Sequence, residues 1–194
     1  MFLISLSHII HAILDSMRTH ISAFDSTIGQ WIHALPAWLH PLMYAVSFIG
    51  QPLITIAMVI IIGIVAGVAA RYRLLAACIV TLGTYGVNSG LKELFHRTRP
   101  NTEYARSMVL ETYSFPSGHA ASSVVIFGLI ALIAWHLLPQ PYASIAVGLL
   151  VALIVLIGIS RVYLGAHYAT DVLVGWLVGA VGLAIIIWIV RPFA

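Results

Sequence analysis

Long uncharged runs, each closed by a charge or a proline, set the pattern of this chain. Pro41 to Ala70 contains no Asp, Glu, Lys or Arg and is closed by Arg71 and Arg73. A second run goes from Leu74 to about Leu94 and ends on Lys92 and Glu93. Thr112 to Ser160 again carries neither acid nor base, and Pro139-Gln140-Pro141 cuts it in two, because proline cannot continue a helix and restricts the residue before it. The last run, Val172 to Val190, is closed by Arg191 and Pro192. A membrane helix needs about 20 mostly apolar residues to cross about 30 Å of hydrocarbon, so these runs predict five spans.

The first forty residues follow a different pattern. Leu3, Leu6, Ile10, Ile13 and Met17 repeat at helical spacing opposite Ser7, His11, Asp15 and Arg18. That predicts an amphipathic segment in the membrane interface, with a short or tilted first span as the alternative. Phe24, Ile28, Trp31, Ile32 and Leu35 mark a second such segment. No Lys or Arg precedes the first, which argues against a cleaved secretory signal. The chain therefore divides into residues 1–40, interfacial or a short first membrane segment, and residues 41–194, the membrane domain.

Composition agrees. The 194 residues are 61% hydrophobic and 8% charged, with mean hydropathy +1.05. A soluble domain carries about 25% charged residues, so a water-soluble globule and a disordered chain are both excluded. The expected fold is all-α, an integral membrane bundle of five to six transmembrane helices. Cys78 is the single cysteine and permits no intrachain disulfide. Gly63/Gly67, Gly86/Gly90 and Gly175/Gly179 are spaced for close helix packing, and Trp31, Trp38 and Tyr142 read as interfacial anchors. His8 and His11 read as interface residues, not metal ligands. There is no nucleic-acid signature, and the oligomeric state stays open.

Alternation of sides brings three polar clusters to one membrane face: Lys92 to Pro100, Pro116 to His119, and Ser160 to Asp171. Such convergence is what an active site requires. That face also holds Lys92, Arg97, Arg99, Arg106 and Arg161, against Arg71, Arg73 and Arg191 on the other. A plain count of positive charge puts the clusters inside the cell. Cations that bind a ligand do not count as topology signals, and the remaining three then place the site on the outer face.

Lys92-Glu-Leu-Phe-His-Arg-Thr-Arg99-Pro100, Phe115-Pro116-Ser117-Gly118-His119 and Ser160-Arg161 followed by His167 and Asp171 together resemble the type 2 phosphatidic acid phosphatase (PAP2) family, from about Arg73 onward. That family includes vanadium haloperoxidases and glucose-6-phosphatase-like enzymes. A haloperoxidase is disfavoured, because no soluble body surrounds the site.

The resemblance implies a metal-free phosphatase without cofactors, and the chemistry of the residues suits it. Phosphoryl transfer is catalysed mostly by positioning and by cations. Lys92, Arg99 and Arg161 supply the charge. Pro116 suits a first helical turn, after which Ser117 and Gly118 offer backbone N–H groups at a positive helix end. His167 is the implied nucleophile. Asp171, four residues on, would accept a hydrogen bond from its other ring nitrogen. His119 is the implied general acid, and opposed histidine roles imply a bell-shaped pH profile. His96 and Arg97 lie within the first string without being signature positions and read as lining residues, and Asn88, one turn before Lys92, has two readings: it orients Lys92 or bonds another helix.

The expected activity is hydrolysis of a membrane lipid phosphate at the bilayer surface: polyprenyl pyrophosphate, phosphatidylglycerol phosphate or phosphatidic acid. Tyr104, Arg106 and Tyr113, in the loop from Asn101 to Ser114, are candidates for reading the headgroup. The alternatives are a lipid phosphotransferase using the same histidine and a non-enzymatic lipid-phosphate carrier or flippase.

Overall fold

Proline and glycine decide where the helices break. The computed structural model describes residues 2–108 and 112–191, with side chains from Asp15 onward. Helix α1, Phe2–His33, is continuous over 32 residues, not two segments, since no proline interrupts it. Pro36 ends this stretch, and a 3₁₀ turn at Ala37–Leu39 leads into α2, His40–Ile49. The two arms of this bent pair lie 88° apart. The amphipathic pattern expected at Leu3, Leu6, Ile10 and Ile13, and the reading of His8 and His11, fall on side chains outside the described ones.

The span expected over Pro41 to Ala70 is a pair of helices. Gly50 and the extended Gln51 end α2, and Pro52 starts α3, Pro52–Val68, at a position where its missing N–H costs nothing. At 17 residues α3 is about 26 Å long. Then come α4 (Tyr72–Phe95), the short α5 (Glu103–Ser107), α6 (Gly118–Leu137), α7 (Tyr142–Tyr163) and α8 (Ala169–Val190). Helices α4, α6, α7 and α8 are each long and apolar enough to cross a membrane, and the bent α1–α2 pair meets the same test as one unit.

Helix α6 is the centre of the bundle. Its Val125, Ile126 and Leu129 are buried with Val46, Val59, Ile157 and Ile186 from four other helices. Helix α8 lies directly on α6 because two glycines face it. A Cβ at Gly175 would stand 2.6 Å from the Ser117 carbonyl oxygen, and one at Gly179 2.5 Å from that of Ala121. The other expected pairs do not pack this way: Gly63 has ordinary contacts with Cys78, while Gly67, Gly86 and Gly90 face open space. Leu53, Val68, Leu149 and Trp188 project from the outer surface, an apolar belt suited to lipid. Trp31, Trp38 and Tyr142 are exposed, as anchors must be.

Candidate active site

Every piece of the site lies where a helix starts or stops, at one end of the bundle. Helix α4 ends at His96, whose φ of 48° turns the chain sharply and whose N–H bonds the Lys92 carbonyl at 3.1 Å. The extended segment that follows is tied to the α7–α8 turn: Thr102 Oγ1 donates to the Gly165 carbonyl at 2.8 Å, and Arg99 Nη1 to that of Ala166 at 3.0 Å. Gly165 has φ +70°, open to glycine at no steric cost. The N–H groups of Ala166 and His167 then both reach the Arg161 carbonyl, at 3.0 and 3.2 Å. Arg161 thus fixes the backbone of His167 while its own side chain lies 1% exposed among the site residues.

The three expected cations are all present in this cluster. Lys92 Nζ donates to the Tyr113 carbonyl at 2.6 Å. Arg99 donates to the Thr112 carbonyl at 2.8 Å and to Thr112 Oγ1 at 2.7 Å. Arg161 donates to Ser47 Oγ and to the Tyr104 hydroxyl, the latter at 3.2 Å. The His119 Nε2 is buried with no hydrogen-bond partner among the described residues and lies within electrostatic range of Arg161, His167, Arg99 and Lys92.

His167 is 3% exposed, and its Nε2 stands 3.3 Å from Arg99 Nη1. A guanidinium only donates, so Nε2 carries the lone pair and Nδ1 the proton. Burial first, then the charges of Arg161, Arg99 and Lys92, holds the His167 pKa well below the ordinary histidine value. The ring is neutral at pH 7. Burial and the neighbouring Arg161 likewise lower the Arg99 pKa.

Two expectations about this region need correction. His167 precedes the N-cap, Tyr168, so it and Asp171 do not share a helical face. Asp171 Oδ2 accepts the Tyr168 N–H at 2.9 Å as a capping box and stands 3.6 Å from His167 Nδ1, beyond hydrogen-bond reach. At the other helix start, Pro116 lies before the N-cap Ser117, outside the first turn. The Ser117 N–H already donates to the Asp171 carbonyl at 2.9 Å, and Ser117 Oγ accepts from the Ala120 N–H. The N–H groups open at this helix end are therefore those of Gly118 and His119.

Comparisons with known proteins point to one family. The PAP2 superfamily profile matches residues 72–193. The chain belongs to the PAP2 superfamily. It is 32% identical over 148 residues to phosphatidylglycerophosphatase B of Bacillus subtilis (strain 168), covering 73% of this chain and 70% of that protein. It is 43% identical over 68 residues to an undecaprenyl-diphosphatase of Sulfolobus acidocaldarius, covering 35% of this chain and 29% of that one. The crystal structure of a transmembrane PAP2-type phosphatidylglycerolphosphate phosphatase from Bacillus subtilis superposes with a TM-score of 0.77 at 25% identity, over 97% of this chain and 98% of that one. The protein is thus an all-α, multi-pass membrane member of the family.

The PAP2 core in this chain is supported by residues that sequence reasoning passed over. Asp25 of α1, 5% exposed, pairs with Arg97 at 2.6 Å and accepts from the Thr170 N–H and hydroxyl at 2.8 Å each. Arg97 in turn bonds Asp171 Oδ1 at 2.6 Å and lies 4.2 Å from the centre of the Tyr168 ring. A segment set apart as interfacial is therefore wired to the carboxylate behind His167. The signal was available: a lone acid beside Phe24 and Ile28 must find a partner when buried. Of the loop candidates, Tyr104 bonds Arg161, Tyr113 meets His96 edge-on at 4.4 Å between ring centres, and Arg106 bonds Asn101 at 2.6 Å. A cavity of about 410 Å³ between α1, the segment from Arg97 to Pro100 and the α7–α8 turn is lined by Asp25, Gln30, Arg97 and His167.

Proposed function

We propose that this chain hydrolyses a membrane lipid phosphate without a metal, through a phosphohistidine on His167 Nε2. One observation carries the reading: a buried neutral histidine holds its free lone pair beside Arg99, with Lys92 and Arg161 close by. Lys92, Arg99 and Arg161 would bind the non-bridging oxygens, joined by the Gly118 and His119 N–H groups. Nε2 forms a bond to phosphorus as the bond to the lipid oxygen breaks, and His119 gives that oxygen a proton. Water then attacks phosphorus, His119 takes up its proton, and inorganic phosphate leaves with His167 restored. Asp171 stabilises the positive charge that His167 carries in between.

The candidate substrates are phosphatidylglycerol phosphate, polyprenyl pyrophosphate and phosphatidic acid, two of which match the names of the relatives above. Arg71, Arg73 and Arg191 lie at the end of the bundle away from the site, which supports an outward-facing site by the positive-inside rule. The test is phosphate release by purified protein in detergent micelles containing a chelator, with the three lipids offered side by side. We expect release that survives chelation and is lost in His167→Ala. Absence of release by folded wild-type protein, followed by appearance of a phosphorylated product once an acceptor lipid is added, would replace hydrolase with phosphotransferase.

A further inference from the structure

A second cavity, of about 230 Å³, runs from the cation cluster into the bundle between the start of α3, α4 and α6. Lys92 and Gly118 lie at one end. Asn88 and Thr84 stand one and two turns below Lys92, about 6 and 12 Å deeper along α4. Ser122 stands one turn below Gly118, and the Tyr85 hydroxyl lies beside those of Thr55 and Ser122.

The exposed lining is mostly apolar, with a few hydrogen-bonding groups set into it. Asn88 is 5% exposed, and its Oδ1 is buried with no hydrogen-bond partner among the described residues. Ser122 Oγ donates to the His119 carbonyl at 3.2 Å and Thr84 Oγ1 to that of Val80 at 3.0 Å, which leaves both oxygens with lone pairs to offer. Below Lys92 the lining carries no charged side chain. Neutral hydrogen-bonding groups inside an apolar bundle are costly unless something fills and pairs with them. A polyprenyl chain is hydrocarbon from its bridging oxygen onward and pairs with nothing. A glycerol that keeps a free hydroxyl within a few bonds of its phosphate can donate to the Asn88 Oδ1 and its neighbouring hydroxyl oxygens.

Building on the phosphatase reading above, we propose that this cavity holds the glycerol unit attached to the scissile phosphate. Asn88 is then a specificity residue that favours lipid phosphates whose glycerol keeps a free hydroxyl over polyprenyl pyrophosphates. The test compares kcat/KM for lysophosphatidic acid, whose glycerol keeps a free hydroxyl, with kcat/KM for polyprenyl pyrophosphate, in the same micelles and the same preparation. The ratio of the two is independent of the fraction of protein that is active. Wild type should favour the glycerol lipid, and Asn88→Leu should lower the ratio about tenfold, the scale of one lost hydrogen bond plus an unpaired partner. Asn88→Ser, which puts a shorter hydroxyl in place of the amide, should give an intermediate ratio and serves alone if the leucine variant does not fold. A ratio unchanged by these substitutions, or a wild-type preference for the polyprenyl substrate, overturns the inference and leaves the phosphatase reading intact. No release from either substrate by folded wild type overturns both.

Discussion

Among the described residues, Arg97 is the one side chain that joins two buried carboxylates, Asp25 on α1 and Asp171 on α8. Replacing it with glutamine removes the charge that pairs directly with both. Arg97→Gln should therefore lower stability by about 3 kcal/mol, the low end for breaking a buried pair because Arg97 keeps some exposure. Asp25→Asn should cost less, and the double variant less than the sum of the two, since they share one network. Thermal unfolding in a single detergent would show it; strict additivity would mean the groups are not coupled. His167 makes a second prediction. Its neutral form is the nucleophile, and that form persists at every pH above its lowered pKa. As pH falls through about 6.5, where ordinary histidines protonate, kcat/KM should therefore not fall once the substrate's own ionisation is corrected for, since the general acid His119 only gains protons in that direction. A fall in activity at that pH would count against a buried neutral nucleophile. The main site residues were legible because each lies in a short string with its own local chemistry. Asp25 was not, because its partner is 72 positions away and only the folded chain brings them together.

At the scale of elements, the contact between α6 and α8 is set by glycine. Gly179→Ala forces a methyl group against the Ala121 carbonyl and should cost about 1–3 kcal/mol as the helices part. Gly86→Ala places the same methyl in open space and should be neutral or mildly stabilising, because alanine is the better helix former. Unfolding midpoints of the two variants separate these cases, and equal losses would refute the packing argument. Both glycines belong to pairs with the same spacing, so the sequence could not distinguish them: spacing shows that two glycines share a face, never what that face meets. The break at Pro52 was hidden for a related reason. The run from Pro41 to Ala70 lacks charge throughout, and a proline that starts a helix leaves the same apolar signal on either side.

For the whole molecule, alternation of sides was the most reliable guide. Charge-free runs of membrane length must reverse direction at each turn, so Lys92, Ser117 and His167 were bound to meet before any contact was known. The bend between α1 and α2 escaped that logic, because an amphipathic pattern fixes a helix's period and leaves its path open. Gathering the site at one end of the bundle also has a consequence for the membrane as a reservoir. A protein inserted in one orientation meets only those lipids whose phosphates lie in the leaflet on its own side. In sealed vesicles with uniformly oriented protein, phosphate release should stop once that leaflet is exhausted, and should resume when lipid is exchanged across the bilayer. Turnover over long times would then be governed by the supply of lipid from the far leaflet, a process the protein itself does not perform.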